Sequence, residues 1–243
     1  MTASTEVKIF TTTKKVAKRV AKQLLKMTQR SPQPRFDVAL SGGSTPQKLF
    51  KTLVEKYKDT IPWERIHFWW GDERCVTPSD DDSNFKMAND LLFLQVNIPQ
   101  ENIHRIKGEN NPEAEAIRYA EEIATNLNFR DGIPVFDMIL LGMGNDGHTA
   151  SIFPGQLELI GSEQICAVSE HPATGQKRIT LTGKVINNAS LIFFLVTGED
   201  KAKCLSEIMN DDEEAKLLPA YHISPKYGKL VWYIDEAAYS KIE

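Results

Sequence analysis

The chain has 243 residues, of which 41% are hydrophobic and 26% are charged, and its 29 basic and 33 acidic side chains give a net charge of −4. This composition is typical of globular proteins and excludes disordered, collagen-like and disulfide-stapled chains. The three cysteines lie far apart with no CxxC motif. This favours reduced thiols and a cytoplasmic location over a disulfide framework or a zinc ribbon. The length suits one α/β domain, so we expect residues 1–243 to form a single domain.

The sequence indicates neither export, nor a membrane span, nor nucleic-acid binding. No apolar run approaches the ~18 residues that cross a bilayer, and the first ten residues, MTASTEVKIF, lack a signal-peptide pattern. The negative net charge disfavours non-specific binding to nucleic acid. It does not exclude a small anionic ligand, which would need basic side chains gathered locally.

Helical patterns alternate with short apolar runs along the chain. Residues 13–29 illustrate the helical pattern, because Val16, Val20 and Leu24 recur at intervals of four. The other predicted helices are the run around Leu49 to Val54 and residues 84–94, 112–128 and 199–209. The predicted strands are residues 36–40, 66–70, 135–141, 165–169, 178–182, 191–197 and 229–234. Such an alternation predicts an α/β fold with a mostly parallel central sheet covered on both faces.

Open parallel sheets bind ligands at the carboxyl ends of their strands, and four predicted strands end in unusual loops. The first loop, Ser41–Pro46, has two glycines, and either Ser44 or Thr45 can cap the following helix, with Pro46 at its first position. A helix N-terminus with free N–H groups binds anions. The alternative is a tight turn that binds nothing, and this loop lacks the GK[ST] and GxGxxG spacings of nucleotide sites.

The loop after residues 135–141 carries the strongest catalytic signal. The segment Gly142–Gly155 combines four glycines with one histidine, His148, and one aspartate, Asp146. Histidine exchanges protons near neutrality, and an aspartate two residues away could orient its ring or share the proton transfer. The alternative is a surface histidine in a flexible loop.

Two further loops carry charges whose role the sequence leaves open. Asp72, Glu73 and Arg74 directly follow a buried strand, and they could form either a site or a surface ion pair. Lys201 lies at the start of a helix after Gly198, and Arg178 heads the strand at 178–182; each could bind a phosphate or be an ordinary exposed residue.

The sequence predicts no metal site and no cofactor. The five histidines are scattered without HExxH spacing, and a serine nucleophile of the GxSxG type is absent. His67 alternates within the strand at 66–70 and is predicted to be a structural histidine.

At these loops the sequence resembles the glucosamine-6-phosphate isomerase/6-phosphogluconolactonase family, and most closely its lactonase branch. The resemblance covers most of the chain in the family's order. The matching segments are LSGGSTP at 40–46, WGDER at 70–74, Ser83-Asn84, GMGNDGHTASIFPG at 142–155 and RITLT at 178–182. It implies a three-layer Rossmann-like sandwich, and hydrolysis of 6-phospho-D-glucono-1,5-lactone to 6-phosphogluconate in the oxidative pentose phosphate pathway, by water that a histidine activates.

The resemblance also implies roles for individual residues. His148 would be the general base, Asp146 would support it, and Arg74 would lie near the reacting centre. The phosphate would be held by the loop that carries Gly43, Ser44 and Thr45, together with Arg178 and Lys201. Asp72 would lie in the pocket, in a role left open.

Two other functions remain open at this point. The related deaminases use a glutamate five residues after the histidine, where this chain has Phe153, so the resemblance favours a hydrolase. A non-catalytic sugar-phosphate sensor would keep Ser44 and Arg178 but would not need the pair of His148 and Asp146.

Overall fold

The computed structural model of the protein describes residues 4–242. The strands are β1 (Ser4–Phe10), β2 (Phe36–Leu40), β3 (Ile66–Trp70), β4 (Asp72–Arg74), β5 (Phe129–Arg130), β6 (Ile133–Pro134), β7 (Met138–Leu141), β8 (Cys166–Glu170), β9 (Lys177–Leu181), β10 (Leu191–Val196) and β11 (Lys229–Asp235). The helices are α1 (Thr13–Arg30), α2 (Ser44–Tyr57), α3 (Asn84–Leu91), α4 (Pro112–Asn126), α5 (Glu158–Gly161), α6 (Gly183–Asn187), α7 (Ala202–Asn210) and α8 (Glu236–Tyr239).

Six strands form a wholly parallel sheet in the order β1-β11-β10-β7-β2-β3. Strands β2, β7 and β10 are buried along their whole length, as strands are when helices cover both faces of a parallel sheet. The helices flank this sheet, so the predicted three-layer α/β sandwich is confirmed.

Two of the predicted strands do not belong to the parallel sheet. The segments at 165–169 and 178–182 correspond to β8 and β9, which pair antiparallel with each other and with β4 in a second sheet. The chain leaves the main sheet at Gly71. Its N–H donates to the Leu40 carbonyl at 2.8 Å, and its carbonyl accepts from the Leu181 N–H at 2.8 Å. The residues after Gly71 therefore pair with β9 and form β4, where the sequence predicted a loop.

Strand β1, which lies at the edge of the sheet, was not predicted from the sequence. Its apolar residues Val7 and Ile9 are 43% and 44% exposed, and among residues 4–242 its one strand partner is β11. Other predicted bounds shift by a few residues. Helix α3 ends at Leu91 rather than at residue 94, since Leu92 leaves helical geometry. Strand β7 begins at Met138 because the Val135 N–H donates to Asn128 instead.

The histidine in β3 is structural, as predicted. His67 Nδ1 lies 3.0 Å from His104 Nε2, and the ring of His104 stacks on Trp69 with centroids 3.9 Å apart. Burial lowers the pKa of His67 to about 4, which keeps this ring neutral and inside a packed cluster.

Within residues 4–242, every helix is too short or too polar to cross a membrane.

Candidate functional site

The four loops singled out from the sequence meet at one edge of the parallel sheet. The strands that precede them, β10, β7, β2 and β3, are consecutive neighbours. Their carboxyl ends therefore open into a shared cavity of about 200 Å³. The cavity is lined by Ser41, Gly42, Gly43, Asp72, Arg74, Asn84, Gly142, Met143, Gly144, His148, Ala150, Arg178 and Lys201.

The loop after β7 brings His148 and Asp146 into direct contact. His148 Nδ1 lies 2.6 Å from Asp146 Oδ1, and the same oxygen accepts the backbone N–H of His148 at 3.1 Å. Since a carboxylate only accepts, Nδ1 carries the proton in this pair and Nε2 is the free acceptor of the neutral ring. The arrangement therefore presents a basic nitrogen at the cavity.

The acid–base state of Asp146 follows from this contact. Burial alone would raise its pKa, but the hydrogen bonds from the His148 ring and backbone, together with the charge of that ring, outweigh burial and lower the pKa to about 2. Asp146 therefore stays ionised at neutral pH. An ionised Asp146 accepts from Nδ1 and so holds the imidazole in one tautomer.

The side chains of His148 and Asp146 can lie this close to the backbone of residue 144 only because that residue is glycine. A Cβ at Gly144 would lie 2.2 Å from His148 Nδ1 and 2.4 Å from Asp146 Oδ1. Two hydrogen bonds within the loop stabilise this conformation. The Gly144 N–H donates to the His148 carbonyl at 2.9 Å, and the Thr149 hydroxyl donates to the Gly142 carbonyl at 2.9 Å.

The loop after β2 leads into α2, whose start differs from the prediction in two respects: the capping residue, and Pro46, which is the third residue of the helix and not the first. Neither Ser44 nor Thr45 caps α2; Gly43 holds the N-cap position with φ +103, and no side chain bonds to the helix start. The Thr45 hydroxyl lies instead 2.8 Å from the hydroxyl of Thr197, after β10. The first N–H groups of a 14-residue helix are thus left to a ligand. Beside them lies a second cavity of about 120 Å³, which Lys201 also lines.

Two arginines lie side by side on the opposite part of the cavity. Arg74 and Arg178 are directly paired residues of the antiparallel strands β4 and β9. The Nε atoms of both are buried without a hydrogen-bond partner among residues 4–242. Burial and, after it, the neighbouring charge of Arg74 lower the pKa of Arg178. A pair of like charges in this setting is stabilised by an anion that binds both.

Asp72 joins the same cavity from β4, and residues that the sequence analysis did not single out surround it. Its Oδ2 accepts the hydroxyl of Ser151 at 2.6 Å, and its backbone carbonyl accepts the Asn84 amide at 2.9 Å. Ser41 contributes a buried hydroxyl without a partner among the described residues. The signal for Asn84 was its match to the family's Ser-Asn pair. Ser41 and Ser151 lay within matched segments but carried no chemical signal of their own.

The ring of Phe153 is an apolar surface next to the His148 ring and the Arg178 guanidinium. Its ring is fully buried and lies 4.8 Å from the ring of His148, centroid to centroid. The guanidinium carbon of Arg178 lies 5.8 Å from the same ring. The side chain five residues after the histidine is therefore adjacent to the site, but it has no proton to donate.

A larger cavity lies elsewhere and does not share this chemistry. It measures about 530 Å³ and lies between α4 and β8. Its lining is mostly aliphatic, with Ala116, Ile117, Ala120 and Val168 among its residues. The candidate functional site is therefore the smaller cavity, where His148, the two arginines and the start of α2 converge.

A parallel α/β fold whose loops gather a histidine–carboxylate pair and several cations defines an enzyme that acts on a small anionic substrate. Comparison with known proteins gives the particular family. The chain belongs to the glucosamine-6-phosphate isomerases/6-phosphogluconolactonase family, whose model matches residues 11–232.

Relatives within this family are similar over most of their length. A 6-phosphogluconolactonase of Haemophilus influenzae is 48% identical over 202 residues, which cover 83% of this chain and 85% of that protein. A 6-phosphogluconolactonase of Treponema pallidum is 43% identical, with 79% of each chain covered. The crystal structure of 6-phosphogluconolactonase from Thermotoga maritima has a TM-score of 0.82 at 31% identity, covering 96% of this chain and 100% of that chain.

Proposed function

We propose that the chain hydrolyses 6-phospho-D-glucono-1,5-lactone to 6-phosphogluconate in the oxidative pentose phosphate pathway, and that His148 is the general base. The observation that carries the proposal is the 2.6 Å contact between His148 Nδ1 and Asp146 at a cavity that Arg74, Arg178 and Lys201 also line. The names of the relatives support the activity, since proteins 43% and 48% identical to this chain are 6-phosphogluconolactonases.

The first step is attack of water on the lactone carbonyl. Nε2 of neutral His148 takes a proton from the water as its oxygen forms the new bond to carbon. Asp146, ionised because its pKa is about 2, faces Nδ1 and stabilises the positive charge that the ring acquires. The paired carboxylate thus makes proton transfer to the ring more favourable.

Negative charge then develops on the carbonyl oxygen, and Arg74 is the group we assign to it. Two N–H groups of the 142–147 loop are already used, because those of Gly144 and Gly147 donate to the carbonyls of His148 and Gly144. The guanidinium of Arg74 is fixed in the cavity by a hydrogen bond from Nη1 to the Asp82 carbonyl. A positioned donor of this kind is worth about 3 kcal/mol in other enzymes.

Collapse of the tetrahedral intermediate completes the reaction. The carbonyl reforms, the bond from carbon to the ring oxygen breaks, and the imidazolium of His148 returns its proton to that oxygen. The product is the open-chain acid, and His148 is neutral again. The cycle uses groups of this chain and one water.

The phosphate is held away from this chemistry. We assign it to the free N–H groups at Gly43, Ser44 and Thr45, with Arg178 and Lys201. A phosphate carries a charge of about −1.5 to −2 at pH 7, which suits both a helix start and two cations. Binding energy gained at the phosphate positions the carbonyl against His148 and Arg74.

A direct assay tests the proposal. The rate of lactone opening is measured at slightly acidic pH, where spontaneous opening is slow, with 6-phosphogluconolactone as substrate. We expect saturable catalysis that is much weaker for gluconolactone without phosphate. Ammonia release from glucosamine 6-phosphate, measured in parallel, would instead identify a deaminase. We expect no ammonia release, because Phe153 lies beside His148 where the deaminases have a glutamate. Absence of lactone hydrolysis would overturn the proposal.

Two further expectations belong to this proposal. A single domain is supported by one apolar core cluster that includes Val16 in α1 and Ala238 in α8. A cytoplasmic location is supported by the cysteines, since Cys75, Cys166 and Cys204 are all free thiols. Limited proteolysis and fractionation of the native cells would test the two expectations.

A further inference from the structure

We infer that Asp72 binds a hydroxyl group of the sugar ring, and that Ser151 is the positioning residue that turns the Asp72 carboxylate toward it. The inference rests on the proposed function, because it concerns the part of the same cavity that binds the hydroxyl groups of the lactone. It gives Asp72 a role distinct from both acid–base chemistry and phosphate binding.

Ser151 is held rigidly enough to orient another side chain. It is fully buried, and its hydroxyl donates to Asp72 Oδ2 at 2.6 Å. Its own backbone N–H donates to the hydroxyl of Thr180 at 3.2 Å. The residue before it, Ala150, has φ +47, a left-handed conformation that is rarely adopted by residues with a side chain. This turn and the bond from the Ser151 N–H to Thr180 hold the backbone from which the Ser151 hydroxyl reaches Asp72.

The Asp72 carboxylate has capacity left for a ligand. Among residues 4–242, the Ser151 hydroxyl is the one group that donates to it, and it does so at Oδ2. Asp72 is only 5% exposed, yet it lines the cavity. A carboxylate offers about four acceptor positions, and leaving a buried charge partly without donors is unfavourable. The second oxygen, Oδ1, is therefore available to a donor that enters the cavity.

A sugar hydroxyl fits this position better than the phosphate does. The phosphate is an anion, which Asp72 repels and which the cations Arg178 and Lys201 attract. A ring hydroxyl is a neutral donor and matches an acceptor-only group. The polar groups next to Asp72 fit the same ligand. Asn84 also lines the cavity, and the buried hydroxyl of Ser41 is unpartnered in the described part of the chain.

The test compares Ser151→Ala and Asp72→Asn with the wild type on four substrates. These are 6-phosphogluconolactone and its 2-deoxy, 3-deoxy and 4-deoxy analogues. A hydrogen bond to a charged group implies that the wild type discriminates against one analogue by about 10- to 100-fold in kcat/KM. We expect both variants to lose most of this discrimination, by acting poorly on the parent lactone and almost as well as the wild type on that one analogue.

The controls separate orientation from general damage. Thr149→Val removes another fully buried hydroxyl of the same turn, one that donates to Gly142 and not to Asp72. We expect it to lower the melting temperature while leaving the ratio between parent and deoxy substrates unchanged. Ser151→Thr keeps the hydroxyl and should retain the ratio. Asp72→Asn keeps shape and volume, so it remains informative if Ser151→Ala fails to fold.

Three results would overturn the inference. The first is an equal loss by the variants on all four substrates, which would make Ser151 purely structural. The second is a wild type that hydrolyses every deoxy analogue as fast as the parent. The third is a loss on 6-phosphogluconolactone that disappears with unphosphorylated gluconolactone, which would place Asp72 in the phosphate site. Failure of the wild type to hydrolyse the parent lactone would instead overturn the proposed function.

Discussion

Arg74 and Arg178 lie directly opposite each other across the antiparallel pair of β4 and β9. Like charges in opposed positions destabilise a sheet, and here both Nε atoms are also buried without partners among residues 4–242. Arg74 lowers the pKa of Arg178, second to burial. Such a pair is maintained at a cost in stability, and binding of an anionic substrate offsets that cost.

The two arginines should nevertheless respond differently to substitution. We expect Arg178→Ala to raise KM for the phosphorylated lactone with a smaller change in kcat, because it removes a phosphate contact. We expect Arg74→Ala to lower kcat by about 10² or more, because it removes charge stabilisation in the transition state. Steady-state kinetics of both variants measure this. Identical changes in KM and kcat would show that the two residues bind the same group.

Removal of the imidazole tests the general base. We expect His148→Ala to reduce kcat by roughly 10² to 10⁴ with little change in KM, since a general base acts in the transition state. His222→Ala is the matched control, because His222 does not line the cavity and its Nε2 lies 2.8 Å from the Lys216 carbonyl. A His148→Ala variant with near-normal kcat would remove this residue from the mechanism.

The partner of the imidazole should affect both rate and stability. Asp146→Asn is expected to lower kcat by about 10², because the amide no longer stabilises the protonated ring. The pKa of Asp146 falls from 3.8 to about 2 on folding, so the folded chain binds fewer protons than the unfolded chain between these values. The stability that Asp146 contributes is therefore present above pH 4 and is lost as pH falls toward 2.

The measurement is chemical denaturation of wild type and Asp146→Asn across this range. The difference in unfolding free energy should shrink as pH falls from 4 to 2. A constant difference would mean that the carboxylate is not stabilised by His148. The same pKa predicts that Asp146 stays ionised from pH 5 upward, so protonation of Asp146 should not affect the pH–rate profile above that pH.

The close approach at Gly144 predicts a sharp effect of one methyl group. A Cβ there would overlap the ring of His148 and the carboxylate of Asp146, so Gly144→Ala should displace the ring and lower kcat by about 10²-fold. Gly161→Ala is the control, because a Cβ at Gly161 meets no atom within 4 Å. Retention of full activity in Gly144→Ala would show that the loop can shift without loss of function.

Glu73 binds the first residues of helix α3, next to the cavity. Its carboxylate accepts the backbone N–H groups of Arg74, Asn84 and Phe85 and the Ser83 hydroxyl, at 2.7 to 3.1 Å. In Glu73→Gln the amide NH₂ would face these donors, so we expect a loss of about 1–3 kcal/mol in unfolding free energy.

Urea denaturation measures that loss, with Glu109→Gln as control. Glu109 pairs with Arg105 at the surface, where an ion pair contributes about 0–1 kcal/mol. Equal losses in the two variants would contradict the role given to Glu73 at the start of α3.

The sequence alone determined the features that depend on short stretches of chain. The buried strands β7 and β10 are continuous apolar runs, and β2 and β3 are apolar apart from Asp37 and His67. The hydrophobic effect places such segments in the core. His148 and Asp146 are two residues apart, so their contact needs only a tight glycine loop. Helix α4 was predicted for the same reason, since Pro112 at its first position marks its start.

Tertiary structure alone decided the contacts between segments far apart in sequence. The pairing of Arg74 with Arg178 depends on the register of β4 and β9, and the bond from Ser151 to Asp72 spans 79 residues. Local patterns do not encode register between distant segments, because it is set by packing of the whole chain. The N-cap at Gly43 was decided in the same way, since Thr45, a good capping residue in isolation, is hydrogen-bonded to Thr197, which follows β10.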